Sequence, residues 1–390
     1  MKKYIPYGCQ DISTQDIEAV SKVLRSDFLT QGSAVGTFER DLMHLTGARF
    51  ALAVNSATSA LHIACMALGV GEGDIVWTSP ISFVASSNCA LYCGAKIDFV
   101  DIDPKTNNIS VSALSKKLEL ASEAGQLPKA VIPVHLSGFS ADMKKIFELS
   151  KKYDFKIIED ASHAIGGTYN GKQVGSCEYS DFCIFSFHPV KIITTGEGGA
   201  LLTNQERLAD QAELLRSHGI TKNPEFFQAK DEGDWYYEQQ DLGFNYRMTD
   251  IQAALGSSQL KRLNDFILKR KEIFKYYQTL LKDLPLVLPS LEQGEVSSNH
   301  LFIIKLKLDE VNISHQKLFS KLRESGIGVN LHYIPIYKHP YYRELLQIDP
   351  MHFPESERYY SSAISLPIFY KLDKADMEYI CHTLKELLDE

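Results

Sequence analysis

No stretch of this 390-residue chain reaches the run of about 18 uninterrupted apolar residues that a membrane-spanning helix needs. The opening, MKKYIPYGCQDISTQD, carries two lysines but lacks the apolar segment of a signal peptide. Positive charge is also short: 41 lysines and arginines stand against 49 aspartates and glutamates, for a formal net charge of −8. No basic stripe of the kind a nucleic-acid surface requires is present, and HLFIIKLKLDE alternates lysine with apolar residues as a half-exposed strand would. The seven cysteines (Cys9, Cys65, Cys89, Cys93, Cys177, Cys183 and Cys381) are odd in number and scattered, and no C-x-x-C pair offers zinc spacing. They read as reduced thiols packed in cores, including Cys89 and Cys93 one helical turn apart. No G-x-G-x-x-G follows a strand, which argues against a nicotinamide dehydrogenase. Internal repeats and low-complexity segments are missing as well. These absences point to a cytoplasmic protein without a metal site that binds neither membrane nor nucleic acid.

The composition, 44% hydrophobic and 23% charged, is that of a globular protein, and the length suggests more than one domain. From about residue 50 to 205, β-rich runs such as FALAV, DIVWTS, AVIPVHL, FKIIED, DFCIFSF and GGALLT alternate with helical patterns. Such alternation builds an α/β fold, a mostly parallel sheet with helices on both faces and its site beyond the carboxyl ends of the strands. A long helical stretch over 250–284 then leads to a second unit with a strand HLFIIKLKL and a closing helix DMEYICHTLKELL. The expected organisation is a large domain over 1–264, including an N-terminal arm, and a smaller α/β domain over 265–390. The irregular AKDEGDWYYEQQD, within the large domain, reads as an exposed loop.

Residues 186–199, SFHPVKIITTGEGG, set Lys191 between an apolar strand and a glycine-rich turn. A phosphate loop would put its lysine after the glycines, opening a helix, so the order excludes that motif. A partly desolvated lysine at a strand end gives up its proton readily and can form a Schiff base with a carbonyl compound, whereas taken alone a solvated surface lysine is the ordinary alternative. If the carbonyl belongs to pyridoxal phosphate (PLP), three further devices are needed. VNSATSAL puts Ala57 and Thr58 at a helix N-terminus, where free N–H groups suit a phosphate, although a plain N-cap would use the same residues. Ser186 could add a hydroxyl. Asp160, ending FKIIED, could pair with the pyridine nitrogen or simply cap the next segment. Phe83 could wall the ring or belong to the core. The order of these devices along the chain, ending in the lysine, favours a PLP enzyme.

At these residues the sequence resembles the fold-type I, PLP-dependent sugar aminotransferases of the DegT group. The resemblance runs through nearly the whole chain in LTQGSAVGTFE, NSATSALHIA, SPISFVASSN, EDASHAIGG, SFHPVKIITTGEGG, LRSHG, GFNYRMTDIQAALG and HYIPIY. It implies a large domain and a smaller C-terminal domain of PLP-transferase fold type I. Lys191 would then be the Schiff-base lysine, Asp160 the pyridine partner, and His163 the neighbour of the cofactor's hydroxyl edge, with Ala57, Thr58 and Ser186 on the phosphate. It implies a homodimer in which Asn245 serves the phosphate of the partner subunit's cofactor; from the residues alone Asn245 reads as a turn. For a sugar nucleotide it points to Tyr7, to Asp27, Phe28, Leu29 and Thr30, and to Asn330, Leu331, His332 and Tyr333. Unaided, Tyr7 reads as packing and NLHYIPIY as a buried strand, while His188 and His332 read as packed or substrate-facing. LTQG, SFHPVK and SSNHL are most similar to members of pseudaminic acid synthesis. That likeness implies transfer from L-glutamate to the 4-keto carbon of a UDP-linked 2-acetamido-2,6-dideoxyhexulose. Transfer at C3 of a dTDP-sugar is the alternative, and a non-catalytic PLP-binding regulator is a third possibility. Related dehydratases carry a histidine at the lysine position, so Lys191 points away from dehydration.

Overall fold

The computed structural model describes residues 4–229, 233–290 and 296–389. Lys2 and Lys3 of the opening, and Lys230, Asp231 and Glu232 of the expected charged loop, lie outside the described residues. Seven apolar runs form one sheet: β1 (Phe50–Val54), β2 (Ile75–Thr78), β3 (Lys96–Phe99), β4 (Ala130–Ile132), β5 (Lys156–Asp160), β6 (Phe182–Ser186) and β7 (Gly199–Thr203), in the order β1-β7-β6-β5-β4-β2-β3. Strands β2 to β6 are parallel, whereas β7 runs antiparallel to both β6 and β1. Every residue of β4, β6 and β7 is buried, because helices cover both faces. The mostly parallel sheet expected from the alternation is thus present, with GGALLT as its antiparallel member.

The pairing register lines up the edge that matters. Gly199, the first residue of β7, pairs with Ser186 at the end of β6 and with Val54 at the end of β1. The chain leaving β1 enters the helix Ala57–Ala67, whose N-cap Ser56 accepts the Ser59 N–H at 3.1 Å. That helix is apolar on nearly all sides and sinks Leu61, Ile63 and Ala64 into the main core. Strand ends β1, β5 and β6 and the start of β7 therefore meet at one crevice.

A second, antiparallel sheet joins Leu286–Val287, Phe302–Leu306 and Ala363–Leu366. Its core gathers Phe274, Tyr277, Phe302, Leu318 and Leu384, and Ile5 of the N-terminal arm joins it through a bridge to Ile327. The single long helix expected over 250–284 is two, Asp250–Leu260 and Leu263–Leu281, because Arg262 leaves helical geometry (φ −101°, ψ 4°). Its guanidinium pairs with Asp11 and Asp16 and covers the Phe266 ring. The second helix spans both cores, with Leu263 and Phe266 on the sheet side and Phe274 and Tyr277 on the other. NLHYIPIY is not a strand either: Asn330 makes one bridge to Ser365, and after Pro335 the chain turns through a short 3-10 helix, Ile336–Lys338. A proline cannot donate to a ladder, which ends pairing there. Among the described residues no helix is long and apolar enough to cross a membrane.

Candidate active site

A cavity of about 530 Å³ opens at the carboxyl edge of the sheet. Tyr7, Ala57, Thr58, Phe83, Asp160, His163, Ser186 and Lys191 line it, as do Asn330, Leu331, His332 and Tyr333. Residues separated by most of the chain thus converge where open α/β sheets hold their ligands.

Lys191 stands in the turn after β6, its N–H bonded to the His188 carbonyl at 2.8 Å. Burial pulls its ammonium down from the ordinary lysine value to about 8, against the opposing attraction of Asp160. Asp160, 5% exposed, ends β5. One carboxylate oxygen accepts the Ser86 hydroxyl at 2.6 Å and the other the Ser162 N–H at 3.2 Å. With the Ser86 hydrogen committed to Asp160, the Ser82 hydroxyl 2.7 Å away donates to Ser86. Strand alternation turns the preceding Glu159 to the opposite face. There it accepts the His135 imidazole N–H at 2.8 Å and the Ser180 hydroxyl. The His135 backbone N–H in turn holds the Asp160 carbonyl at 3.0 Å, so this pair braces the strand end from behind.

A second set of groups joins Ser137 and His163 to His300, His332 and Tyr333. His163 accepts the Ser137 N–H at Nδ1 (3.3 Å), and its Nε2 lies 3.1 Å from the Tyr333 hydroxyl. His300 packs 4.5 Å from the His163 ring, and its buried Nδ1 has no hydrogen-bond partner among the described residues. Burial, reinforced by nearby cationic groups, keeps both rings neutral by holding them well below the ordinary histidine value. His332 is likewise held at about 3 by burial and by Lys191; it contacts Ser365 at 2.9 Å and packs against Tyr7. Burial pushes the Tyr333 phenol well above its ordinary value, so it is a proton-bearing hydroxyl at any working pH. Phe83 is exposed at the mouth, 6.2 Å from the Tyr333 ring, and His188 is exposed beside it.

The cavity also takes in the N-terminus of a helix. Ala57 and Thr58 open their helix toward it, beside the buried Ser186. A Cβ on Gly199 would stand 2.4 Å from the Ala57 nitrogen, so only glycine lets β7 approach the helix N-terminus this closely. Amide donors, a hydroxyl, a fixed carboxylate and a low-pKa amine in one crevice fit a molecule with a phosphate, a protonatable ring nitrogen and a carbonyl.

Five expected site residues lie outside this cavity. Asp27 and Phe28 line a separate cleft of about 910 Å³ beside the helices Thr14–Leu24, Ser33–Thr46 and Asp250–Leu260. The Leu29 carbonyl accepts the Asp250 N–H at 3.0 Å, and Thr30 bridges Thr249. The Asp250 carboxylate pins the segment by accepting the Gly32 and Ala34 N–H groups at 2.8 Å. Asn245 is exposed, and its carbonyl accepts the Asn55 amide at 3.3 Å. Sequence reasoning missed Ser86, Ser137, His135 and His300. Of these, Ser86 carried a signal in its one-turn spacing from Ser82, and His300 in its place within the SSNHL motif.

A crevice of this kind, with its lysine and carboxylate, defines a class. The chain belongs to the DegT/DnrJ/EryC1/StrS aminotransferase family, whose profile matches residues 10–385. It is 38% identical over 388 residues to the UDP-4-amino-4,6-dideoxy-N-acetyl-beta-L-altrosamine transaminase of Campylobacter jejuni strain 81-176, covering 99% of this chain and 98% of that protein. Helicobacter pylori PseC, an aminotransferase involved in the biosynthesis of pseudaminic acid, superposes with a TM-score of 0.90 at 33% identity, over 99% of this chain and 100% of that one. Spr1654 of Streptococcus pneumoniae, assigned as a sugar aminotransferase, superposes in its PLP form with a TM-score of 0.87 at 29% identity over 99% of both chains.

Proposed function

We propose that this enzyme binds pyridoxal phosphate in the crevice and moves an amino group from L-glutamate to the 4-keto carbon of a UDP-linked 2-acetamido-2,6-dideoxyhexulose. The observation that carries the cofactor is the convergence of Lys191, Asp160 and the Ala57–Thr58 cradle on one cavity. Bound there, pyridoxal phosphate supplies a carbonyl for the amino group and an electron-withdrawing ring for the carbon that loses its proton. Ala57, Thr58 and Ser186 would hold the phosphate, Phe83 would wall the ring, and His163 would stand at the hydroxyl edge of the cofactor. Asp160, oriented by Ser86 and Ser162, keeps a proton on the ring nitrogen. Lys191, poised near pH 8, takes the proton from the amino-bearing carbon and returns it at the opposite end of the transfer. Tyr7, Asn330, Leu331, His332 and Tyr333 face the sugar.

Asn245 and the segment Asp27–Thr30 have no access to their own cavity and are assigned to the site of a second copy in a homodimer. The large unit ends and the small one begins near residue 264, at the head of the helix Leu263–Leu281. The names of the Campylobacter jejuni and Helicobacter pylori relatives support the choice of substrate class. Incubation with glutamate and a panel of keto-sugar nucleotides, with the product examined by NMR, tests it. Nitrogen at C4 of the UDP-linked acetamido sugar is expected. Nitrogen at C3, or much faster turnover of a dTDP-3-keto sugar, overturns it.

A further inference from the structure

Three backbone segments far apart in the chain lock together behind His163. Ser137 is buried and sits in the left-handed region (φ 62°), an uncommon conformation for a residue with a side chain. Its N–H donates to the His163 Nδ1 at 3.3 Å, and its carbonyl accepts the His300 N–H at 2.8 Å. The Ser298 hydroxyl donates to the His163 carbonyl at 2.6 Å, and the Ser298 N–H reaches the Gly138 carbonyl at 3.3 Å. A Cβ on Gly138 (φ 93°) would overlap that hydroxyl, so only glycine admits the approach. The His300 ring then lies against the His163 ring, with centroids 4.5 Å apart and planes tilted by 42°.

His300 is itself held from the other side. Its carbonyl accepts Nη1 of Arg270 at 3.0 Å, and the same nitrogen meets the carbonyls of Asn299 (3.4 Å) and Ile368 (3.1 Å). Arg270 is 3% exposed and pairs with no carboxylate among the described residues, so this buried cation serves the backbone around His300. It stands on the helix Leu263–Leu281, and His300 lies two residues before the strand Phe302–Leu306. The clasp therefore ties the second sheet to the residue that faces Tyr333.

We propose that His300 is a positioning residue for amino transfer: its ring pins the His163 imidazole in the orientation that sets Nδ1 on the Ser137 N–H and Nε2 on the Tyr333 hydroxyl. An imidazole turns about its outer side-chain torsion in a broad well, and half a turn would put carbons in place of both nitrogens. Two hydrogen bonds resist that turn, and the face of His300 closes the space through which the ring would swing. The pinning is by packing, since the His300 Nδ1 is buried and has no hydrogen-bond partner among the described residues. Held in this way, His163 keeps its Nε2 proton directed at Tyr333.

The pinning belongs to the ring pair, whereas its effect on rate rests on the proposed function, and the test reads the two separately. Nitrogen NMR of cofactor-loaded enzyme carrying isotope-labelled histidine should show a protonated Nε2 that disappears in His163→Gln. His300→Phe, which keeps a flat ring and discards both nitrogens, should leave that signal in place. His300→Ala should broaden or abolish it, with folding checked by thermal melting; should the alanine variant not fold, His300→Leu, which fills the volume without a flat ring, takes its place. In amino transfer, His300→Ala should lower kcat about tenfold with the cofactor still bound, as for one hydrogen bond no longer held. His300→Phe should bring the rate back to within about threefold of the unaltered enzyme. Added to Tyr333→Phe, His300→Ala should cost almost nothing further, because both act through one contact. Additive losses, or a His163 signal indifferent to the alanine change, would overturn the positioning role. So would a His300→Phe variant as impaired as His300→Ala, because the nitrogens rather than the ring would then matter. The expected NMR behaviour in a protein that transfers no amino group would leave the ring pair standing and overturn the proposed function.

Discussion

The Nε2 of His163 and the hydroxyl of Tyr333 lie 3.1 Å apart, and the Ser137 N–H fixes which of the two donates. Because Nδ1 of the neutral ring accepts that N–H, the ring proton sits on Nε2 and points at the Tyr333 oxygen. The hydroxyl hydrogen of Tyr333 is therefore free to turn into the cavity. Tyr333→Phe removes a donor and leaves the His163 N–H unpaired, at a cost of about 1–3 kcal/mol, which is roughly fivefold to 150-fold in kcat/KM. Steady-state kinetics, with absorbance to verify that the cofactor is still bound, checks this. An unchanged rate would remove Tyr333 from the reaction.

The proposed role of Lys191 makes uptake of the cofactor depend on pH. With its amine near 8 rather than at the ordinary lysine value, the neutral form that adds to a carbonyl appears as pH rises through 8. The association rate of the apoprotein with pyridoxal phosphate, followed by absorbance, should rise with a midpoint near 8. A midpoint at the ordinary lysine value of 10.5 would mean that the amine is in open water. The depressed value also sets the sign for stability: burying the cation costs fully below pH 8, and the cost fades as pH climbs toward 10.5. Lys191→Ala should therefore abolish turnover without lowering the melting temperature of the apoprotein at pH 7.

Asp160→Asn keeps the shape of the side chain and removes its charge. A loss of at least about a hundredfold in turnover is expected from a charge partner in a dry site. Ser86→Ala, which removes a 2.6 Å hydrogen bond to that carboxylate, should cost about tenfold. A ratio below about threefold for Asp160→Asn, under 1 kcal/mol, would show that the ring nitrogen has another partner.

Gly199→Ala tests the cradle without touching a polar group. The new Cβ would stand 2.4 Å from the Ala57 nitrogen and must push the helix N-terminus away. Pyridoxal phosphate should dissociate at least about tenfold more readily, since loss of one charge-assisted hydrogen bond suffices for that. Equilibrium dialysis reads the change, and unaltered affinity would place the phosphate elsewhere.

If Asn245 serves the site of the other subunit, mixing inactive Lys191→Ala with a strongly impaired Asn245→Ala variant should restore activity. Each mixed dimer would contain one site with both residues intact. No recovery, despite subunit exchange demonstrated by mass spectrometry, would return Asn245 to its own chain's surface.

The amino-acid sequence alone determined that strand ends carrying Ala57, Asp160 and Ser186–Lys191 would lie along one edge, because strand and helix periodicity are local and parallel connections bring carboxyl ends to the same side. Much of the cavity lining was legible for that reason. The break at Arg262 and the irregular course of NLHYIPIY were not, since ion pairs with Asp11 and Asp16 and packing between the two units override local propensity there. Tertiary structure also decided that Ser86 would turn to Asp160, 74 residues away, and that Tyr333 would reach His163 across 170. It left Asp27, Phe28, Leu29 and Thr30 on the surface beside the Asp250 helix, and Asn245 on the surface against Asn55. Hydrogen bonds of such span have no sequence signature, because either partner is satisfied equally well by water until burial removes it.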